Sequence, residues 1–250
     1  MAWLNESRLP FPSQVAIGGV PNFSIMRKFG ANPSVTTSSD PEDMWSQGTV
    51  YTFLTSAVAL YASSSDNSDT NVINVQGLDA NWALQTKQVT LTGQTQIVLG
   101  GTWIRVFRAW SETDTAGDVY IAEQDGTISG GVPQAVAKIK AKFLIADQQT
   151  EMAIYTIPAN MKGYLCAWWG SVLGGGATKA ADLKLQKRDF EAGFRTQMTV
   201  GTTSTGTSYF YRDFCYPMEL DEKTDLKINI AEVTATCSLT GGFDILLKPK

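Results

Sequence analysis

Along most of the chain, apolar and polar residues alternate with a period of two. Val89 and Leu91 alternate with Thr90 and Thr92, and Gly93-Gln94 then turns the chain towards Ile97 and Leu99, which reads as a β-hairpin. In WIRVFRAW, Ile104, Val106, Arg108 and Trp110 share one face, while Trp103, Arg105 and Phe107 share the other. Val119 and Ile121 run into a turn at Asp125-Gly126. Further on, Ile139, Ala141, Phe143 and Ile145 alternate with Lys138, Lys140 and Lys142, the mark of a strand with one dry and one wet face. Strand-like runs follow at MAIYTI, GYLCAWWGSVL, FRTQMTV, YFYRDFCY, DLKINIAEV and GFDILL. They are separated by Gly174-Gly175-Gly176, TTSTGTS and Thr240-Gly241-Gly242. ATKAADLKLQKRDFEAG holds good helix formers, but Leu183 and Leu185 alternate with Lys184 and Gln186, so it is read as a strand.

This spacing predicts an all-β chain of antiparallel β-sandwich or jelly-roll units, two in tandem. GTISGGVPQ, residues 126–134, predicts a linker between an N-terminal β domain (21–125) and a C-terminal jelly-roll-like domain (135–250). One short helix is predicted near 41–47. Ser39 or Asp40 offers an N-cap, Pro41 stands at N1, acids fill the first turn and Gly48 marks the stop. Residues 1–20 show no periodicity and predict an extended arm that orders on a neighbouring surface.

Composition narrows the function. The chain has 250 residues, and its charged fraction of 18% falls below the usual ~25%, as in compact β proteins rich in turns. The net charge is −4 with no basic stripe, which argues against nucleic acid as a partner. No apolar run approaches the ~20 residues of a bilayer helix, and the start lacks a basic region followed by an apolar stretch. A protein made in the cytoplasm, with no membrane partner, is expected.

Histidine is absent, which removes His-based nucleophilic triads and His-ligated metals. Cys166, Cys215 and Cys237 are odd in number and widely spaced, so neither a disulfide framework nor a zinc site is expected.

Several segments resemble the virion structural proteins of tailed bacteriophages. The first is IMRKFGANPSVTTSSDPEDMWSQGTVYTF, with its basic-aromatic FG-x-NP segment, its acid-rich turn before Trp and its Tyr-Thr-Phe. YASSSDNSDT, INVQGLDANW, LTGQTQIVLGGTWIRVFRAW and GDVYIAEQDG continue the likeness, as do QQTEMAIYTIPAN and LDEKTDLKINIAEVTATCSLTGGFDILL. The resemblance spans residues 25–247 as scattered motifs. It implies a β-sandwich or jelly-roll component of the particle, of capsid decoration or head or tail accessory type, and carries over no catalytic residues.

Among candidate chemistries, Asp66–Asn71 clusters oxygen donors but lacks the Gly and Glu of a Ca²⁺-binding helical-hairpin loop, and reads as an Asx-rich turn. Gly170–Gly176 lacks the Lys-Ser/Thr of a phosphate loop. Asp213, Glu219, Asp221, Glu222 and Asp225 could supply a glycosidase-like acid/base pair, but spacing alone cannot show two of them facing one another. No catalytic residue, metal or cofactor is therefore expected.

The aromatics point elsewhere. Trp168 and Trp169 take opposite faces of one strand, and Tyr209, Phe210, Tyr211, Phe214 and Tyr216 crowd another on both faces. A strand aromatic on both faces must be covered on both, so Trp168, Trp169, Tyr209, Tyr211 and Phe214 are the candidate interface residues. The partners this implies are further copies of the chain, as a trimer, and the major capsid or other virion proteins. The alternatives are a receptor- or carbohydrate-binding module on a tail or fibre, and a carboxylate-based glycan hydrolase.

Overall fold

The computed structural model describes residues 9–39, 41–145, 147–173, 178–205 and 209–250. The first eight residues of the expected arm, Asp40 as an alternative cap, Gly174-Gly175-Gly176 and the end of TTSTGTS lie outside the described residues.

The chain is all-β and antiparallel throughout, and its order is that of one sandwich interrupted by another. A short helix α1 (Phe11–Ala16) precedes strands β1 (Ser24–Val35) and β2 (Glu42–Asp43). An insert follows with β3 (Leu60–Ser64), β4 (Val72–Leu78), β5 (Leu84–Thr90), β6 (Ile97–Val98), β7 (Arg105–Ser111), β8 (Val119–Glu123), β9 (Ile128–Ser129), β10 (Val132–Pro133) and β11 (Ile139–Phe143). The chain then returns to the first sandwich with β12 (Ile154–Thr156), β13 (Met161–Leu173), β14 (Ala180–Arg188), β15 (Arg195–Thr203), β16 (Tyr209–Leu220), β17 (Asp225–Val233) and β18 (Cys237–Pro249).

In the first sandwich, a sheet of order β1-β18-β13-β16 faces one of order β12-β17-β14-β15, with β2 also paired to β17. Leu165, Trp168, Phe243 and Ile245 of the first sheet meet Leu183, Leu185, Leu226, Ile228 and Ile230 of the second in one buried core. The insert stacks β11-β8-β3-β6 on β5-β4-β7 around Leu60, Ile73, Val75, Trp103, Ile121 and Phe143.

Strand pairing crosses the boundary expected at 126–134. β1, from the N-terminal part of the chain, pairs with the C-terminal β18 from Ser24↔Leu247 to Asn32↔Leu239. Nor is 126–134 a loose linker. It forms the β9–β10 hairpin, and Ser63 Oγ donates to Gly131 O at 2.8 Å. Gly131 has φ +76°, and a Cβ there would stand 1.7 Å from Ser64 O, so only glycine fits. The Asp125 carboxylate closes the segment by accepting from Ala135 N–H at 2.8 Å and from Thr127. These bonds, Ala135's first, hold its pKa down at about 2.

The short helix lies at Phe11–Ala16, not near 41–47. Pro12 sits in its first turn, Val15 is buried and Phe11 packs edge-on against Phe23 at 5.2 Å. Residues 42–46 are instead buried in succession, which a two-turn surface helix with one apolar stripe cannot do. Asp43 accepts from Lys227 Nζ (2.8 Å), Asn229 Nδ2 (3.0 Å) and Tyr51 N–H (2.8 Å), while Met44 and Trp45 enter the two cores. Tertiary burial overrides a good set of local helix signals here. Gly48 still ends the turn, with φ +67°.

The hairpin expected around Gly93-Gln94 is also divided. Its turn closes with a Thr92–Thr95 bridge, but β5 and β6 leave it for different sheets. ATKAADLKLQKRDFEAG contains strand β14, as its alternation indicates.

β1 crosses close to the rest of the molecule. A Cβ at Gly30 would lie 2.4 Å from both Ala153 N and Met44 O, which accounts for the glycine of the FG-x-NP segment. Asn32 of the same segment donates to Glu42 and accepts from Ser34 N–H.

Lys28, also on β1, is buried and donates to Phe107 O at 2.6 Å. Burial, with Arg108 adding to it, pushes its ammonium down to about 7. Between pH ~7 and ~10.4 the unfolded chain therefore binds more protons at this lysine than the folded one, so its contribution makes stability rise with pH. Below ~7 both states are protonated and the slope vanishes.

Urea unfolding should show Lys28 adding about 2 kcal/mol between pH 7 and pH 9, at 1.36 kcal/mol per unit. In Lys28→Met that component disappears, leaving the rise from Lys140, which burial also lowers. An unchanged pH profile in the variant would contradict the assignment. Above ~10, Tyr51 and Tyr155, raised by burial, reverse the trend.

Among the described residues no helix is long and apolar enough to cross a membrane.

Candidate functional site

The outward face of the sheet β1-β18-β13-β16 carries the most exposed aromatic groups. Its geometry starts with a bulge. In the pairing of β13 with β16, the register jumps from Leu165↔Met218 to Ala167↔Asp213, so Phe214 to Pro217 stand opposite Cys166 alone. The jump lets Leu165 and Trp168 both enter the core although they are three residues apart. Pro217 is tolerated because β16 is an edge strand whose second side pairs with no strand among the described residues. The same kink throws Tyr216 out to 90% exposure.

Beyond the bulge, Trp169 pairs with Tyr211 on one side and Gly242 on the other. A Cβ at Gly242 would meet the Trp169 indole at 2.6 Å, so this glycine lets the ring lie flat on the sheet. Tyr209 lies 6.4 Å from Trp169 between ring centroids. Tyr209 and Tyr211 are 49% and 50% exposed. Next to them Arg27 forms a two-pronged ion pair with Asp244, with Nε–Oδ1 at 2.8 Å and Nη2–Oδ2 at 2.9 Å. Asp244 raises the Arg27 pKa through that hydrogen bond and its charge. Burial first, and Asp213 second, push the Tyr211 phenol up.

These five residues, Arg27, Trp169, Tyr209, Tyr211 and Asp244, line an open cleft of about 290 Å³. A second cleft, of about 250 Å³, adjoins it where α1 overhangs the sheet at Pro12, Ser13 and Ala16.

The five sequence candidates thus divide by face. Trp169, Tyr209 and Tyr211 come together on the outer surface. Trp168 is fully buried, edge-on to Phe210 at 4.7 Å, and Phe214 is half-buried against the core. Strand alternation separates Trp168 from Trp169, as the sequence indicates, but it does not say which of them faces out, and it does not place Phe214, which lies in the bulge. Arg27 and Asp244 were missed because 217 positions separate them and only the β1–β18 register joins them.

Asp66, Asp69, Glu219, Glu222 and Asp225 among the remaining candidates are engaged structurally. Asp66 accepts from Ser68 N–H and Oγ in an Asx turn, and Asp69 from Ser64, Ala116 N–H and Gly117 N–H. Glu219 pairs with Lys162 at 2.7 Å, Glu222 with Lys250 at 2.8 Å, and Asp225 with Arg105 and Arg188. Among the described residues, no three acidic or Cys side chains gather as metal ligands.

No protein-family model matches the chain, and comparison with curated proteins finds no match. Among solved structures, similarity is weak. The infectious bursal disease virus Gt strain aligns over 96% of this chain and 78% of its own, at 10% identity and TM-score 0.23. The naturally occurring empty particles of cowpea mosaic virus (its top component) align over 78% and 82%, at 8% identity and TM-score 0.21. A CBM4 structure aligns over 56% and 75%, at 12% identity and TM-score 0.23.

Proposed function

We propose that this protein is a non-enzymatic structural subunit of a bacteriophage particle, of capsid decoration, cement or head accessory type. In this reading it joins further copies of itself, as a trimer, and a larger shell through the outer face of the sheet β1-β18-β13-β16. The supporting observation is the joined patch of Trp169, Tyr209 and Tyr211, with the exposed Tyr216 farther along the same kinked edge strand. Contiguous exposed aromatic surface is uncommon on soluble monomers and is favoured where proteins meet. The outer edge of β16, which pairs with no strand among the described residues, offers backbone groups to a neighbour, while Pro217 and the bulge prevent its indefinite extension.

A second reading rests on the Arg27–Asp244 pair set among aromatic rings in an open cleft. Rings that stack on a sugar and a fixed ion pair that binds its hydroxyls would suit a receptor- or carbohydrate-binding module of a tail or fibre.

Light scattering of purified protein at micromolar concentration should return a homo-oligomer, and quantitative mass spectrometry of mature particles should find hundreds of copies. A strict monomer together with particles lacking the chain would refute assembly. Tens of copies or fewer, with glycan binding lost in Trp169→Ala, would favour the second reading.

A further inference from the structure

Where the insert meets the first sandwich, cations and aromatic rings interleave in an unbroken ladder. Arg188 lies over Phe194 and Phe53, 4.6 Å from each ring centroid. Arg105 lies over Phe53 at 5.0 Å and Trp82 at 4.7 Å, and Lys223 over Trp82 at 5.7 Å and Phe190 at 4.7 Å. Trp82 and Arg105 come from the insert, Phe53 from the segment leading into it, and the others from the first sandwich. The ladder walls an open cleft of about 290 Å³.

Two properties of this cleft exceed what holding the units together requires. The first is charge. Arg105, Arg188 and Lys223 face Asp225 and Glu191, leaving one positive charge in excess in a chain of net charge −4. Both arginines share the single Asp225 carboxylate. Arg188 uses Nε and Nη2 on it, and its Nη1 makes no hydrogen bond among the described residues. The Lys223 ammonium rests on the two rings and forms no ion pair or hydrogen bond among the described residues. Glu222, whose charge lies near it, is already held by Lys250 and by Asn160 N–H.

The second property is backbone. Trp82 (φ 62°), Glu191 (φ 61°) and Lys223 (φ 62°) are non-glycine residues in the left-handed region, one in each of three turns that meet at the cleft. Left-handed backbone costs non-glycine residues energy and gathers where side chains must be aimed.

We propose that this cleft is an anion site taking one oxyanion group (carboxylate, sulfate or phosphate), with Lys223 Nζ as its direct donor and the Arg105 and Arg188 guanidiniums further along the ladder adding to the positive field. A point-like ammonium with nearby positive charge suits an oxyanion. The rings lower the local dielectric, so each charge acts more strongly than in open water. The cationic groups already cover much of the ring surface, which disfavours a neutral sugar stacked flat.

Inorganic phosphate, glucuronate and glucose, titrated into full-length protein, separate the sources. The Trp82 indole N–H signal in a ¹H–¹⁵N spectrum, assigned with Trp82→Phe, is the readout. Phosphate, glucuronate or both should shift it saturably while glucose leaves it in place. Phosphate alone means a bare-oxyanion site, and glucuronate alone means a site for an acid carried on a sugar ring. Lys223→Met should weaken binding at least tenfold while the rest of the spectrum superposes, and Lys223→Gln should do the same if the first variant folds poorly. No shift with either anion, equal binding of glucose, or full affinity in the Lys223 variants would overturn the proposal.

Discussion

Replacing Asp225 by Ala should destabilise the protein by about 3–5 kcal/mol, the usual cost of leaving a buried charge without its partner. The site explains the size. Asp225 is buried and accepts from Arg105 Nε at 2.8 Å and Nη2 at 3.0 Å, from Arg188 Nε at 2.9 Å and from Thr156 Oγ1. Arg105 is itself buried and tied to Leu54 O and Ile104 O, so its guanidinium cannot swing out to water once the carboxylate is gone. At ~2–4 °C per kcal/mol for a chain of this length, the melting midpoint should fall by about 10 °C. Asp225→Asn keeps the shape and an acceptor for Thr156 but not the charge, and should fall between. The pair Arg105→Met with Asp225→Leu should recover much of the loss, because an apolar pair of similar volume avoids the desolvation cost. A loss under 1 kcal/mol in Asp225→Ala would mean that water reaches this junction.

That junction also marks where sequence reading stops. DLKINIAEV reads as a strand, and it is one: Leu226, Ile228 and Ile230, alternate residues on one face, enter the core. Its polar half does not face water. Asp225, Lys227 and Asn229 are buried against β2, Arg105, Arg188 and Thr156, far away in the chain. Alternation reports that a strand has two different faces, and cannot tell solvent from a polar interface within the molecule. The same limit governs the domain reading. Both halves are β-rich in sequence, but only the β1–β18 ladder reveals that the chain leaves one sandwich, builds another and returns. The SDPEDMW segment carries genuine helix signals, worth ~1 kcal/mol or less each. Burying Met44 and Trp45 on opposite cores outweighs them at roughly 1.5–3 kcal/mol per large side chain. Of the candidate surface, Trp169, Tyr209 and Tyr211 were legible from alternation. The Arg27–Asp244 pair and the Trp82–Phe190 cleft depend on registers and turns that no local pattern encodes.

Two neighbouring sets of aromatics should respond to mutation in opposite ways, and this contrast bears on the assembly reading. Trp168→Ala empties a fully buried site against Phe210 and Met198, and should cost about 3–5 kcal/mol of folding stability. Tyr209→Ser with Tyr211→Ser removes rings that are only half covered in the single chain, and should leave the melting midpoint of the dissociated protein within a few degrees. Its effect should fall on association. Each ring leaves roughly 100 Å² uncovered, half of the ~200 Å² an aromatic side chain can bury. At ~25 cal/mol per Å² the two rings contribute about 5 kcal/mol per subunit. Rigid-body and side-chain ordering offset a comparable amount, so the oligomer should be stable at micromolar concentration and sensitive to each ring. The expected result is a rise of two to three orders of magnitude in the dissociation constant by concentration-dependent light scattering, with an unchanged β-type circular dichroism spectrum. If the tyrosine pair unfolds the chain, the rings are core and not surface. If it leaves the oligomer intact, assembly uses a different face, and the β15 edge of the opposite sheet becomes the next surface to test.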